Sequence, residues 1–419
     1  MLEILHNLPS IIMYGMIFFS LFFQVFLLIT FLENKDKIAE EAFLPHTSFP
    51  AVSITVPCHN EERSVIKTVN SLLDLDYPKD KLKIFVVDDG STDSTWEVVQ
   101  RYKDNPQVVL LHKENGGKYT ALNYALERIE SPFVGCLDAD SFVDRDALKS
   151  IMKYFTDSEV MAVTPAIKIY NPKSIIQKIQ NVEYVLSLFI RKMLAMMDAV
   201  QVTPGPFSIF RKRVFDITGP YRHAHNTEDM EIAMRMHKHH MKIVNSHTAS
   251  VYTMGPKTLY TLLKQRVRWI YGFLKNATDY RDIFFRKEYG NLGLFTFPAA
   301  VISIFSGLYF LGYTLYSILH LIFKEIVRIQ TVGFTFKFKG FTFDWFFVDT
   351  QSTVFLIIAL FFITLAFILL GGYVTENKIR FPRGMLYYLV LYGFIAPLWL
   401  AKAVYNVALS RMPKWDKVN

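Results

Sequence analysis

The stretch Ile11–Leu32 carries no charged residue, and about 20 apolar residues in a helix are enough to cross a bilayer. Three further spans follow late in the chain: Leu292–Phe323, Thr353–Val374 and Met385–Leu409. Pro298 and Gly307 are expected to bend the second, and Lys402 in the last is expected to snorkel or to face protein. Residues 33–290 between the first two spans have ordinary mixed composition. A chain of this pattern must hang a water-soluble unit from lipid.

Composition agrees, with 51% hydrophobic and 15% aromatic residues. The first ten residues contain no Lys or Arg, whereas Lys35 and Lys37 follow the first span and Arg281, Arg286 and Lys287 precede the second. The positive-inside rule then places residues 33–290 in the cytosol, below the plasma membrane. The first span lacks the basic leader and cleavage site of a signal peptide and reads as a retained anchor. Four spans put both termini outside, which the basic tail Arg411, Lys414 and Lys417 opposes, so the C-terminal topology stays open. The net charge of +8, scattered along the chain, suits anionic lipid and anionic substrates, and no nucleic-acid motif appears. Cys58 and Cys136 sit beside apolar runs and read as reduced, packed thiols.

Within the soluble stretch, short apolar runs alternate with helical patterns. Val52–Val56 reads as a strand, with a turn at Pro57–Asn60 and a helix from near Glu61. Leu82–Val87 is a second strand ending at Asp88-Asp89-Gly90-Ser91, and Val108–Leu111 leads into Asn115-Gly116-Gly117-Lys118 and a helix over Tyr119–Ile129. Such alternation predicts an α/β fold with a mostly parallel sheet, which binds ligands beyond the carboxyl ends of its strands. Asp88, Asp89, Lys118, Asp138 and Asp140 all fall at such ends. Asn115–Lys118 lacks the spacing and Ser/Thr of a P-loop.

The run Phe133–Leu137 stops at Asp138 and Asp140, two carboxylates one residue apart. Like charges this close repel unless something positive lies between them. A Mg²⁺ or Mn²⁺ ion bridging carboxylate and diphosphate oxygens answers that need, because Mg²⁺ takes few protein ligands. Asp140 is the expected direct ligand, beside Asp138. Asp144 is expected to cap a helix beginning at Arg145.

Thr55–Glu61, Val87–Asp93, Leu137–Asp140, Thr227-Glu228-Asp229 and Gln265-Arg266-Val267-Arg268-Trp269 match, in order and spacing, the motifs of membrane-bound family 2 glycosyltransferases. The chain resembles that family from about Val52 to Trp269, and its membrane layout is similar to that of the poly-N-acetylglucosamine synthases. The resemblance implies a GT-A fold, a nucleotide-sugar donor and an inverting transfer. It implies that Glu61 and Asp89 hold the uridine with Lys118 nearby, that Asp138 contacts the donor as well as the metal, and that Asp229 is the general base. Glu228, on the other side of the turn, is assigned to the acceptor side and is expected to matter less to the chemistry. Arg268 can pair with diphosphate oxygens through its planar fork, Trp269 can stack on an acceptor sugar, and Gln265 can hydrogen-bond there. Related synthases have a small-residue turn where this chain has Val202-Thr203-Pro204-Gly205-Pro206-Phe207-Ser208, so Gly205 is assigned to the acceptor side. Its flanking prolines depart from the commoner Ser-Gly form.

The expected organisation is an anchor over 1–32, a GT-A domain over 48–255, an amphipathic interfacial segment over 256–290 and an all-α transmembrane region over 291–419. The expected function is transfer from a UDP-sugar, UDP-N-acetylglucosamine or similar, to a growing β-linked polysaccharide with export. A lipid acceptor is the alternative, and a catalytically idle scaffold is a third reading. Tyr309, Tyr313, Tyr316, Tyr387, Tyr388, Tyr392, Tyr405 and Asn406 could line an export path by stacking on sugar faces. Four spans are few for a channel, so a homo-oligomer or an accessory membrane subunit is an expected partner. The period-two run Phe334, Phe336, Phe338, Phe341 and Phe343 reads as a hairpin or interfacial segment.

Overall fold

A computed structural model describes residues 2–41, 49–333 and 352–413. The Phe334–Phe343 run and the tail residues Lys414 and Lys417 lie outside them. The chain opens with helix α1 (Leu2–Glu41) and then alternates β1 (Val52–Cys58), α2 (Val65–Leu73), β2 (Leu82–Asp89), α3 (Thr95–Val99), β3 (Val108–Lys113), α4 (Lys118–Leu126) and β4 (Phe133–Cys136). Next come β5 (Ser141–Val143), α5 (Ala147–Met152), β6 (Val160–Ile169), α6 (Ile175–Met196), β7 (Ile209–Arg211), α7 (Arg213–Thr218), α8 (Glu228–Lys238) and β8 (Lys242–Thr253). Helices α9 (Leu259–Asp279), α10 (Phe297–Val332), α11 (Ser352–Glu376) and α12 (Met385–Ala408) complete the described chain.

The strands form one sheet in the order β3-β2-β1-β4-β7-β6-β8-β5. β3, β2, β1 and β4 are mutually parallel, and β6 is parallel to β8. β7 runs antiparallel to β4 and β6, and β5 antiparallel to β8, so the sheet is mixed. Both faces of β2 are covered, which explains its nearly unbroken apolar run. Ile84 and Val86 enter one core cluster with Val65, Val69 and Leu72 of α2, while Phe85 and Val87 enter another with Ala121 and Ala125 of α4. That alternation continues into Asp88 and Asp89 and sends their carboxylates to opposite faces.

Several element boundaries differ from the sequence reading for local reasons. α2 begins at Val65 because the Glu61 carbonyl accepts from the amides of Ser64 (3.1 Å) and Val65 (3.0 Å), a turn that precedes the helix. Asp144 does not cap α5, which starts at Ala147; its Oδ2 accepts from Tyr252 Oη at 3.2 Å. Pro298 lies in the first α-helical turn of α10, directly after the π-helical turn Leu292–Thr296, so the backbone irregularity falls just before the proline.

Four helices among the described residues are long and apolar enough to cross a membrane: Leu8–Glu41, Leu292–Val332, Val354–Glu376 and Met385–Ala408. They are joined to the sheet domain through α6 and α9. Gly371 of α11 lies so close to the Val185 carbonyl of α6 that a Cβ would collide with it. Leu262 and Val267 of α9 pack with Trp399 and Ala403 of α12, so the amphipathic face of α9 is spent on protein. At the end of α1, Glu41 pairs with Lys192 of α6, which is only 1% exposed, and accepts a hydrogen bond from Tyr154 Oη at 3.0 Å.

Candidate active site

Because β1, β2 and β4 are parallel, their carboxyl ends lie along one edge of the sheet, and Asp88, Asp89, Asp138 and Asp140 fall there with Lys118. β4 continues for one more bond, Leu137 N to Thr55 O at 2.9 Å, before the chain turns through Asp138 and Asp140 into β5. Gly117, at φ +90°, lets the preceding loop swing into α4 so that Lys118 opens the helix. The Lys118 Nζ stands 2.6 Å from Asp138 Oδ1 and 3.0 Å from Glu228 Oε1. A Cβ on Gly205 would lie 2.5 Å from that ammonium and 3.0 Å from Asp138 Oδ1. Only a residue without a side chain leaves room for the ion pair.

Thr227 precedes α8, and Glu228 and Asp229 occupy its first turn. Both line one small pocket with Lys118, Cys136, Thr203, Gly205 and Tyr221. Thr203 fastens the 202–208 loop to this turn, its N–H and Oγ1 both donating to the Asp229 carbonyl at 3.0 and 2.9 Å. Glu228, expected to matter less than its neighbour, is 8% exposed and faces the same cation as Asp138. Burial disfavours the charge on Glu228, but Lys118, a backbone hydrogen bond and Arg268 outweigh it and hold the carboxyl below its usual value. Lys118 in turn is held well above its ordinary value; burial opposes this, and Asp138 and Glu228 overcome it. Asp229 goes the other way. Burial and the neighbouring Glu228 charge push it up to about 6 despite its place at a helix N-terminus.

Asp89, expected on the donor side, is held by its own neighbours. Its carboxylate is 3% exposed and accepts from Lys113 Nζ (2.6 Å), Gly116 N (3.1 Å) and Gly117 N (2.8 Å). It orders the loop that delivers Lys118, and its Oδ2, bonded to Gly117 N, keeps acceptor capacity to spare. Glu61 accepts from Ser64 Oγ and lies close enough to Asp140 to raise its carboxyl. Desolvation, then Asp138 and Glu61, push the Asp140 carboxyl up to about 7, opposed by a 3.0 Å hydrogen bond from Ser141 Oγ and by Lys118. Carboxylates crowded until one resists ionising form a site short of positive charge, and this donor set fits a divalent cation. No cluster of three or more His, Cys, Asp or Glu ligands occurs among the described residues. A cation held by Asp138 and Asp140 would complete its shell with oxygens from elsewhere, as Mg²⁺ commonly does.

The α9 motif approaches from the other side. Arg268 Nη1 donates to the Asn226 carbonyl at 2.9 Å, and its charge reaches both Glu228 and Asp229. Trp269 has one ring face covered by the Arg266 guanidinium, 4.3 Å from its centroid, and Arg266 is anchored to Glu183 of α6 at 2.9 Å. Gln265 Oε1 is buried with no hydrogen-bond partner. Sequence reasoning missed Thr203, Lys113 and the buried Arg266–Glu183 pair. The doubled arginine of the motif was the available signal for the last; nothing local marks the other two.

Residues 53–218 match the family described as Glycosyl transferase family 2. The chain is 33% identical over 224 residues to a poly-beta-1,6-N-acetyl-D-glucosamine synthase of Staphylococcus aureus, covering 53% of this chain and 54% of the relative. It is 30% identical over 267 residues to the Staphylococcus epidermidis enzyme of the same name, covering 61% and 64%. The matched part thus spans little more than half the length of these relatives. The backbone is similar to that of mannosyltransferase PcManGT from Pyrobaculum calidifontis, solved in complex with GDP-Man and Mn2+, with a TM-score of 0.57 at 17% identity over 94% of this chain and 99% of that one. That likeness is one of fold.

Proposed function

Given a chain that carries a glycosyltransferase family 2 domain over residues 53–218 and four apolar helices long enough to cross a membrane, we propose that it is an inverting membrane glycosyltransferase. It moves a sugar, N-acetylglucosamine being the first candidate, from a UDP-sugar to the end of a growing β-linked polysaccharide and passes the product across the membrane. Residues 48–255 are the cytosolic catalytic domain, 256–290 a connecting segment, and 1–32 and 291–419 the membrane parts. The sequence relationship to poly-beta-1,6-N-acetyl-D-glucosamine synthases supports the donor and product class.

The observation that carries the reading is the array Asp140, Asp138, Lys118, Glu228, Asp229 and Arg268, in which two cations are set among four carboxylates. Transfer requires a base on the acceptor hydroxyl and positive charge at the departing diphosphate. Asp229 has the raised pKa of a group that can accept a proton near neutral pH and takes it from the acceptor. Lys118 and Arg268 bind diphosphate oxygens. Asp138 and Asp140 would hold Mg²⁺ or Mn²⁺, whose charge would offset that of the leaving group. Trp269 stacks on the acceptor sugar, with Gln265 beside it and Gly205 keeping the floor open. Asp89 and Glu61 shape the uridine side.

The test uses the full chain purified in detergent with a panel of UDP-sugars and Mg²⁺ or Mn²⁺, reading UDP release and product size. A ladder of polymer is expected. A single sugar on lipid replaces polymer synthesis with the lipid-acceptor reading, and no UDP release from any donor ends the proposal.

A further inference from the structure

Arg268, Gly272 and Asn276 on one face of α9 and Tyr280 at its C-cap recur at four-residue intervals, and each meets the segment that carries Asp229. Arg268 donates to the Asn226 carbonyl at 2.9 Å. Gly272 lies so tightly against Thr227 that any Cβ would collide with its side chain. Asn276 Nδ2 donates to Thr227 Oγ1 at 2.9 Å, and Tyr280 Oη donates to Glu231 Oε1 at 2.6 Å. His225 adds a contact to Asp279 at 2.9 Å.

The segment so gripped is strained. Ala224, His225 and Asn226 have φ of +45°, +56° and +63°, and none is glycine. Non-glycine residues in this region are strained and persist only where their surroundings hold them. Apolar packing would join two helices at less cost. This contact instead spends a buried amide, Asn276 at 1% exposure with Oδ1 unpartnered, on the residue immediately before Glu228 and Asp229. The far end of the same helix is packed on α12.

We propose that this stripe of α9 is a positioning device for Asp229, so that the place of the carboxylate is set by a helix anchored in the membrane region. Gly272, Asn276 and Tyr280 are positioning residues acting through Thr227 and Glu231. The inference rests on the reading of Asp229 as the base.

The experiment measures kcat and donor KM of the full chain in detergent, with the donor identified by the UDP-sugar panel, for Asn276→Leu, Thr227→Val, their double variant and Tyr280→Phe. Thr278→Ala, on the exposed side of α9, is the control and stays at the wild-type rate. Misplacing a reacting group by about 1 Å can cost ~10²-fold, so Asn276→Leu and Thr227→Val should each lower kcat by about 10- to 100-fold. Donor KM should stay within about threefold, as for an interaction felt only in the transition state. The double variant should be no worse than the worse single, because both cut one link. Unchanged kcat, a change confined to KM, or losses that multiply in the double variant overturn the proposal. Should Asn276→Leu fail to fold, Tyr280→Phe decides alone: a kcat-only loss supports the device and wild-type kcat refutes it. A wild-type chain inert with every donor removes the function and this inference together, whereas an active one with indifferent variants removes this inference alone.

Discussion

Lys118 Nζ lies 2.6 Å from Asp138 Oδ1, which makes the first residue of α4 the counter-ion of the turn after β4. The same ammonium reaches Glu228 at 3.0 Å, so one cation ties together three segments that are far apart in the chain. Lys118→Met leaves two carboxylates facing Asp229 without their partner. Breaking a fully buried pair costs about 3–5 kcal/mol; with the Asp138 side chain 32% exposed, a loss of about 1–3 kcal/mol is expected here. Thermal unfolding in detergent measures it, and UDP release should fall by at least ~10²-fold with the electrostatic term.

Gly205→Ala tests the floor of the cleft. Gly205 is not in the left-handed region, so the backbone tolerates alanine, but the new methyl would stand 2.5 Å from Lys118 Nζ. The ammonium must move off Asp138. We expect UDP release to fall by about 10- to 100-fold, as for other misplacements near a reacting centre, with the melting temperature lowered less than in Lys118→Met because the contact to Glu228 remains.

The rate should rise with pH through a midpoint of about 6, because only the ionised form of Asp229 accepts a proton. Asp229→Asn should lower kcat by about 10²- to 10⁴-fold, the usual range for a general base. Glu228→Gln removes a like charge that raises Asp229 and frees Lys118 to stabilise it, so the acid limb should move to lower pH. A pH–kcat profile of each variant checks the sign. An acid limb that moves upward in Glu228→Gln would contradict the arrangement.

Chelation should abolish turnover, and Mg²⁺ or Mn²⁺ should restore it. Asp140→Asn removes one of the two carboxylates that fit a cation, so it should raise the metal concentration needed for half-maximal rate by at least ~10-fold, in line with lost metal ligation. Metal titration of UDP release measures this.

Lys192→Met should detach the end of α1 from the catalytic domain. The lysine is 1% exposed and paired with Glu41, beside Tyr154 Oη and the carbonyl of Asn245 at 3.1 Å. Removing one partner of a buried pair costs about 3–5 kcal/mol, seen as a lower unfolding midpoint. Since the pair is remote from the cleft charges described above, kcat of the surviving folded fraction should stay near wild type.

Local pattern was enough to find the elements. The apolar runs of β1, β2 and β4, the acids that terminate them and the uncharged spans all report chemistry that acts over a few residues, and the structure has them where the sequence puts them. Which side chain faces which partner was not legible. Asp88 and Asp89 look equivalent in the sequence, yet strand alternation sends them to opposite faces and the glycine loop claims the second. Glu228 and Asp229 are neighbours, yet a lysine 110 positions earlier in the chain holds one low while burial lifts the other. Ion pairing, desolvation and close helix contact depend on distances through space, so packing had to bring Lys118, Gly205 and α9 to the same turn before any of these roles could be told apart.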